Sequence, residues 1–237
     1  MSVYKFDELE KAPLVIDAIY ESEGTLFGQG PLSKLLPKSS NQGGFRPIKR
    51  LDNSKLPAYI VLYTSLEEVE WPDYLDKETG VLRYFGDNRT PGKALHDTPK
   101  KGNEYLKDIY SILDSEELRN NIPPFLVFQK TSRAFDVKFL GIAVPSNPNI
   151  SPDKELNALW RTKAGNRFQN YEAFMTILDT GSEIISKEWL SRLIDDHSNS
   201  NSLAPKAWKN FIKHGRRGIK PLAALKQLTV PTLSHNN

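Results

Sequence analysis

Residues 71–103 have the sequence WPDYLDKETGVLRYFGDNRTPGKALHDTPKKGN, which joins an aromatic and acidic half to a basic half. The first half interleaves aromatic and acidic side chains: Trp71, Tyr74, Tyr84 and Phe85 with Asp73, Asp76 and Asp87. The second half carries cations between turn formers: Arg89, Lys93, His96, Lys100 and Lys101. Flat rings beside carboxylates suit a planar ligand with amino hydrogens, and exposed cations suit phosphates. The stretch therefore predicts a site for an extruded nucleobase, with a β-hairpin and an ordinary solvated loop as the alternative.

Composition places the chain among soluble globular proteins that can bury a sizeable core. It has 237 residues, of which 38% are hydrophobic and 26% charged. No apolar run approaches the roughly 18 residues of a membrane span. The acids near the start argue against a signal peptide, and the absence of cysteine excludes disulfides and thiolate zinc sites. These features predict a cytoplasmic protein, and the net charge of +3 permits nucleic acid as a partner if cations cluster locally.

The hydrophobic pattern predicts an α+β domain around a curved sheet or barrel. Short apolar runs indicate strands at residues 58–65, 81–86, 125–130 and 137–144. In the second of these, Leu82 and Tyr84 share one face, and Arg83 and Phe85 share the other. Residues 154–163 fit a short helix or a strand, and residues 167–179 favour a strand.

Helical spacing appears in three places. Residues 103–119 predict a helix with Asn103 as its N-cap, and residues 186–196 predict another. A basic helix with Trp208 and Phe211 toward the core follows the loop HSNSNS.

The segment SSNQGGFRPIKR, residues 39–50, is a candidate loop for a DNA groove. Adjacent glycines let the backbone approach a partner closely, and glutamine and arginine read base edges, which places Gln42 and Arg46 at its tip. Further basic loops lie at residues 89–101, 161–167 and 213–220. Each alone is more often solvated surface, but together they favour nucleic-acid binding.

Catalytic motifs are weakly represented. The chain has no G-x-S-x-G elbow, no phosphate-cradling glycine motif and no histidine pair at metal-ligand spacing. Pro72-Asp73 and Asp136-Val137-Lys138 match the letters of a metal-dependent restriction site, which leaves a Mg²⁺-dependent nuclease as an alternative. An HNH-type site with His96 and Asn103 lacks a second histidine in range.

Five strings carry a family resemblance: WPD, RYFGDNRTPGKALHDTPKKGN, FLGIAVP, RFQNYEAFMTILD and APKAW followed by HG. From about Gly24 to Leu222 the chain resembles the N-terminal domain of modification-dependent restriction endonucleases of the AspBHI and MspJI kind. That domain is SRA-like (SET- and RING-associated) and recognises 5-methylcytosine in DNA. The resemblance implies an SRA-like (PUA-like) curved β-barrel with flanking helices over residues 1–228. Residues 229–237 are then a disordered tail or a truncated linker.

The resemblance also implies roles for individual residues. SRA domains flip the modified cytosine out of the duplex and stack it between two aromatic rings, a role that falls on Trp71 and Tyr84. Asp73, with Asp76 as the alternative, accepts from the exocyclic amine. A carboxylate repels the thymine O4 carbonyl, so cytosine is chosen over thymine. The apolar nook for the 5-methyl group falls to one of three side chains: Tyr63, Leu82 or Phe85.

The expected partner is double-stranded DNA with modified cytosine, and the modification itself stays open among methyl, hydroxymethyl and glucosylated forms. The candidate DNA contacts are Gln42, Arg46, Arg83, Asn88, Arg89, Lys93, His96, Lys100, Lys101, Arg161 and Arg167. Full-length relatives carry a C-terminal nuclease domain, so the chain is either the recognition part of a longer enzyme or a stand-alone reader. Binding needs no cofactor, and Mg²⁺ serves only the nuclease domain. A nuclease in its own right and a non-specific DNA-binding or protein-interaction domain are the alternatives.

Overall fold

A ten-stranded mixed β-sheet forms the centre of the computed structural model, which describes residues 2–26, 28–52 and 54–222. The strands are β1 (Val3–Tyr4), β2 (Ile19–Tyr20), β3 (Phe45–Lys49), β4 (Pro57–Thr64), β5 (Tyr74–Asp76), β6 (Val81–Phe85), β7 (Phe125–Lys130), β8 (Val137–Pro145), β9 (Leu156–Lys163) and β10 (Asn166–Ile177). The α-helices of these ranges are α1 (Leu32–Leu35), α2 (Gly102–Ser111), α3 (Lys187–Asp195) and α4 (Lys206–His214). None of the helices in the described ranges is long and apolar enough to cross a bilayer.

The main path of the sheet runs β3-β4-β7-β8-β10-β6-β5. Strands β4 and β7 pair in parallel and the other neighbours on this path are antiparallel, while β2 joins β8 and β9 pairs with β10. The end strands β3 and β5 do not pair with each other within the described residues, so the sheet is open. The predicted combination of a sheet with a few helices is confirmed, whereas closure into a barrel is not.

The core draws on the buried side chains of the central strands β4, β7 and β8 and of the helices α3 and α4, with α3 packed against β4. Strand β4 is buried along nearly its whole length, which explains its continuous apolar run. Trp189 of α3 and Trp208 of α4 are almost fully buried, with ring centroids 5.8 Å apart, and Phe211 is fully buried beside them. Burial of each such aromatic side chain stabilises the fold by about 1.5–3 kcal/mol.

Several predicted elements appear at their expected places. The predicted strands correspond to β4, β6, β7 and β8, and residues 154–163 and 167–179 correspond to β9 and β10. Helix α3 begins after Ser186, whose hydroxyl accepts from the backbone N–H groups of Glu188 and Trp189. Helix α4 carries Trp208 and Phe211 toward the core as expected. The predicted loop HSNSNS is instead part of a 3₁₀ helix, His197–Leu203.

Helix α2 differs from its prediction at both ends. It ends at Ser111 instead of continuing to residue 119, and Asn103 is not its N-cap. The cap position is Lys101, with φ of 55°, and the Asp87 carboxylate accepts from the N–H groups of Gly102 (2.9 Å) and Asn103 (3.0 Å). The Asp87 carboxylate, which is distant in sequence, therefore caps the helix in place of the Asn103 side chain that the pattern predicted. Residues 229–237, the predicted tail, lie outside the described residues.

A buried ion pair ties the end of the domain to the sheet. Glu155 is fully buried and accepts from the Ser146 hydroxyl and the Asn147 N–H, and it pairs with Arg216 at 2.7 Å. Arg216 also contacts Asp114.

Replacing Arg216 by alanine is expected to lower the free energy of unfolding by about 3 kcal/mol, because it leaves the Glu155 carboxylate buried without its cation. Urea denaturation measures this loss. Lys206→Ala, which removes an exposed pair with Glu183 at 3.9 Å, is the matched control and should change stability by less than about 1 kcal/mol. Equal effects of the two substitutions would contradict a buried pair.

Candidate nucleic-acid interface

Asp73 is a buried carboxylate fixed by two strands. Its side chain is 5% exposed, and its two oxygens accept from Thr64 Oγ1 (2.7 Å) of β4 and from the Phe85 N–H (2.8 Å) of β6. Burial raises the pKa of Asp73 above its ordinary value, and these two hydrogen bonds oppose the rise. Each carboxylate oxygen retains capacity for another donor. The group is thus oriented in advance and able to accept from a ligand.

Strand alternation places Asp73 on the same side of the sheet as Tyr84. Asp73 precedes Leu75 by two residues, and Leu75 is paired with Leu82, so these side chains and Tyr84 share the inner face. Burial raises the pKa of the Tyr84 phenol well above its ordinary value, and the negative charge of Asp73 raises it further. The Tyr84 ring packs 6.4 Å from Phe45 in the main core.

Trp71 lies on the other side of this pair of strands, which corrects the predicted sandwich of Trp71 and Tyr84. Its ring centroid is 5.4 Å from Phe85 and 5.8 Å from Phe168, and these three side chains form a separate cluster. Because neighbouring residues of a strand point in opposite directions, Phe85 faces Trp71 while Tyr84 faces the main core. The two predicted walls therefore do not face each other, and the Phe85 side chain points away from the Asp73 and Tyr84 side chains.

Asp76 is the last residue of β5 and bonds to the turn that leads to β6. It accepts from the Glu78 N–H (2.9 Å) and the Thr79 hydroxyl (2.6 Å). Those hydrogen bonds, that from Thr79 foremost, lower the pKa of Asp76. The two carboxylates thus have opposite environments: Asp73 is buried between strands, whereas Asp76 is bonded within its own turn.

Arg46 lies inside β3 and not at a loop tip, which corrects its predicted position. Its side chain donates from Nε to the Gly43 carbonyl (2.6 Å) and from Nη1 to the Ser40 carbonyl (2.8 Å). The guanidinium carbon is 5.1 Å from the centroid of the half-buried Tyr63 ring. Burial lowers the pKa of Arg46 to about 10, so the group stays charged at neutral pH. Arg46 thereby anchors the loop that exposes Gln42.

A buried amide network holds the two ends of the loop at residues 86–103. Asn103 Nδ2 donates to the Leu95 carbonyl (2.7 Å) and to Asn170 Oδ1 (3.0 Å), and Asn170 Nδ2 donates to the Gly86 carbonyl (2.9 Å). Asn88 Nδ2 donates to the Gln169 carbonyl (2.8 Å). Asn88 is 1% exposed, so its side chain holds this loop and does not lie on the surface where it was predicted.

Cations from three chain segments meet around a cleft of about 370 Å³ between the 38–40 loop, β3 and the start of α2. The cationic residues that line it are Lys38, Arg46, Lys49, Lys100 and Lys101. None of the described residues lining the cleft is acidic, although Lys101 also pairs with Glu104 at 3.0 Å. Such a concentration of positive charge suits a phosphate backbone. The structure therefore brings Arg46, Lys100 and Lys101 together as predicted contacts of one partner, and adds two lysines.

Lys38 and Lys49 were missed as site residues by sequence reasoning. Lys49 belongs to the basic end of the 39–50 segment, so a local signal for it existed. Lys38 follows the short helix α1, and only the folded chain brings it beside β3 and the start of α2 at the cleft.

The other basic residues predicted to contact DNA lie in two regions: β6 with the loop that follows it, and the β9–β10 hairpin. Three of them pair with carboxylates: Arg83 with Glu172 (3.9 Å), Arg89 with Glu68 (3.2 Å) and Lys93 with Asp97 (3.4 Å). His96 Nε2 is 3.3 Å from the Tyr171 hydroxyl, which joins the basic loop to β10. Arg161 and Arg167 lie on the β9–β10 hairpin, and their guanidinium carbons are 4.4 Å from the Trp71 ring and 4.5 Å from the Trp160 ring, respectively.

The geometry gives the metal-dependent alternative no support. Asp136 accepts from the N–H and the hydroxyl of Ser22, both at 2.8 Å, whereas Asp73 is bound to Thr64 and Phe85. The two carboxylates have no hydrogen-bond partner in common. Across the described ranges, no three histidine, aspartate or glutamate side chains gather as a metal site would require.

The fold of this chain has counterparts among known proteins. The family described as restriction endonuclease AspBHI N-terminal matches residues 14–224. The DNA modification-dependent restriction endonuclease AspBHI is 39% identical with a TM-score of 0.83, and the match covers 97% of this chain and 57% of that chain. The DNA recognition domain of the cytosine modification-dependent restriction endonuclease LpnPI is 36% identical with a TM-score of 0.83, covering 95% of this chain and 97% of that chain.

A third structure, MspJI restriction endonuclease in complex with a 27-mer oligonucleotide, shares the fold at 20% identity and a TM-score of 0.62, covering 82% of this chain and 47% of that chain. No curated protein sequence matches the chain. The chain spans little more than half the length of the AspBHI chain. The family match over most of the sequence and the two close structural matches show that this chain belongs to the family of AspBHI-type N-terminal recognition domains of restriction endonucleases.

Proposed function

We propose that residues 1–228 form a module that binds double-stranded DNA and holds a flipped, modified cytosine against Asp73. The observation that carries this proposal is the pre-oriented buried carboxylate beside Tyr84, with a cationic cleft nearby. The names of two relatives, one a recognition domain of a cytosine modification-dependent enzyme, support the same ligand.

The chemistry of the carboxylate selects cytosine. Its free lone pairs accept from the N4 amine, and they repel the O4 carbonyl of thymine. The Tyr84 ring offers one stacking surface, and Leu82, on the same inner face, offers apolar contact to a 5-methyl group. Since Asp73 and Tyr84 are both nearly fully buried, the base reaches them only when a neighbouring loop moves aside.

Cations supply the remaining affinity. Extruding a base costs a few kcal/mol, and stacking on one ring contributes roughly 1–3 kcal/mol. Stacking therefore only about offsets the cost of extrusion and leaves little net binding free energy. The cleft lined by Lys38, Lys49, Lys100 and Lys101 lies beside the loop that Arg46 anchors, where it can hold the backbone next to the extruded base.

Replacing Lys100 and Lys101 together by alanine is expected to weaken binding to modified and plain duplexes equally, by roughly tenfold at low salt. The slope of log Kd against log salt concentration should fall by about 0.9 for each phosphate that the variant no longer neutralises. Fluorescence anisotropy across a salt series measures both effects. Lys77→Ala, in the exposed β5–β6 turn, is the control. A selective loss for the modified duplex would show that these lysines act on the base instead.

We propose further that the module works with a C-terminal nuclease domain of a longer chain, as the length of the AspBHI chain suggests, and that it binds DNA in the cytoplasm. DNA binding by the module needs no cofactor, and Mg²⁺ serves only the nuclease domain.

Base flipping is tested with 2-aminopurine placed next to the modified cytosine in a short duplex. Loss of stacking on the departing base should raise the probe's fluorescence when the protein binds. A duplex with unmodified cytosine is the control, and Asp73→Ala should abolish the rise. Tight binding without any change in fluorescence would show that the modified base is read inside the helix.

A further inference from the structure

The β9–β10 hairpin extends beyond the sheet as a two-stranded arm. Residues 166–171 of β10 pair with β9, and β6 joins β10 only from Glu172 onward. The turn at the end of the arm contains Ala164 (φ 48°) and Gly165 (φ 76°) in the left-handed region, which matches the tight turn of a two-residue hairpin. Most side chains of β9 are exposed.

The two faces of this arm have different surroundings. Arg161 and Phe168 are paired across the arm and face Trp71. Trp160 is paired with Gln169, and alternation places Arg167 and Tyr171 on that same, opposite face.

Trp160 is the exposed tryptophan of the chain. Its side chain is 55% exposed, whereas Trp71, Trp189 and Trp208 are at most 2% exposed. The Arg167 guanidinium carbon lies 4.5 Å from the Trp160 ring centroid and supports the indole from one side. An indole kept exposed and flanked by a cation is typical of a binding surface.

This face adjoins the basic loop at residues 89–101. Tyr171 contacts His96 of the basic loop, and Asn88 donates to the Gln169 carbonyl. The arm itself, residues 158–171, contains three cations (Arg161, Lys163 and Arg167) and no acidic residue. One cation, Lys163, contacts Glu70 of the neighbouring loop. Arg161 faces Trp71, so the charge beside the exposed indole comes from Arg167, and this cation and the ring complement a phosphate and an exposed base or sugar face.

We propose that the Trp160 face of the β9–β10 arm is a second DNA contact, which lies along the duplex flanking the flipped base. The indole packs on sugars or partly unstacked bases, and Arg167 holds an adjacent phosphate. This contact rests on the proposed function, because it assumes duplex DNA in the cationic cleft. It supplies affinity and positioning without reading the modification.

Trp160→Ala is therefore expected to weaken binding to modified and plain duplexes by the same factor, about tenfold, and to leave the preference between them unchanged. Trp160→Phe should retain most of the affinity because a ring remains. Leu118→Ala, at an exposed apolar side chain after α2, is the matched control and should change neither value. Unchanged affinity in Trp160→Ala overturns the second contact.

Acrylamide quenching of tryptophan fluorescence reports on the same contact in the native chain. Trp160 should account for most of the quenching in the free protein, and duplex DNA should protect it. Protection that depends on protein concentration without DNA would assign this face to a second copy of the chain and overturn the proposal. If the protein still prefers modified DNA but DNA does not protect Trp160 from acrylamide, the second contact is overturned and the proposed function stands. Absence of any DNA binding by the wild type overturns both this contact and the proposed function.

Discussion

Replacing Asp73 by alanine is expected to weaken binding to a duplex with 5-methylcytosine by roughly 10- to 100-fold, with much less effect on a plain duplex. The reason is that a hydrogen bond to a charged acceptor contributes about 1.5–3 kcal/mol, and only the flipped base uses it. Anisotropy titrations of both duplexes measure the change. Similar losses on the two duplexes would show that Asp73 acts through stability or general affinity.

The alanine variant also leaves the Thr64 hydroxyl and the Phe85 N–H without their acceptor, so a second variant is needed to separate folding from recognition. Asp73→Asn keeps the shape, because its amide oxygen accepts from the Phe85 N–H and its amide nitrogen donates to the Thr64 hydroxyl. The NH₂ group replaces the oxygen that faces Thr64, so an N4 amine bound on that side meets a donor instead of an acceptor. We expect near-native stability by urea unfolding together with lost preference for modified cytosine. A preserved preference would remove the carboxylate from the recognition step.

Replacing Gly86 by alanine is expected to lower the free energy of unfolding by about 1–3 kcal/mol and to weaken binding to every duplex. A Cβ at this position would lie 1.8 Å from Asn103 Oδ1 and 2.7 Å from Asn170 Oδ1, inside a buried network that has no room to shift. The basic loop that follows would then lose its anchor.

Urea unfolding and anisotropy measure the two consequences of Gly86→Ala. Gly24→Ala is the matched control, because its Cβ would meet only the end of the flexible Gln29 side chain. Its stability should stay within about 0.5 kcal/mol of the wild type. If Gly86→Ala behaved like this control, the amide network would not hold the loop.

The sequence predicted those parts of the fold whose signal is local. The apolar run of β4 and the helical spacing around Trp189 and Trp208 led directly to the observed elements. Strand β3 was taken as a loop, because its Pro47 and the preceding glycines mask the pairing with β4 that makes it a strand. A barrel was predicted from the number of short strands and from the resemblance, and neither contains a pairing signal that decides whether the end strands of the sheet meet.

The candidate site was predictable in its residue types and less so in its geometry. Asp73 and Tyr84 lie eleven positions apart across a single hairpin, so alternation from β5 to β6 brings them to one face. Trp71 precedes Pro72 outside a strand, and no alternation pattern reveals which face it occupies. Asn103 and Asn170 meet only in the folded chain, and no local pattern joins residues so far apart. For the same reason, Lys38 could not be assigned to the cationic cleft in advance.

The ratio of dissociation constants for plain and 5-methylated duplexes, measured with the wild-type chain by anisotropy at two salt concentrations, tests the central claim most directly. Recognition by a buried carboxylate predicts tighter binding to the methylated duplex at both salt concentrations, with a similar ratio, while the absolute affinities fall as salt rises. Equal and steeply salt-dependent binding to the two duplexes would contradict the account and leave a protein that binds only the phosphate backbone.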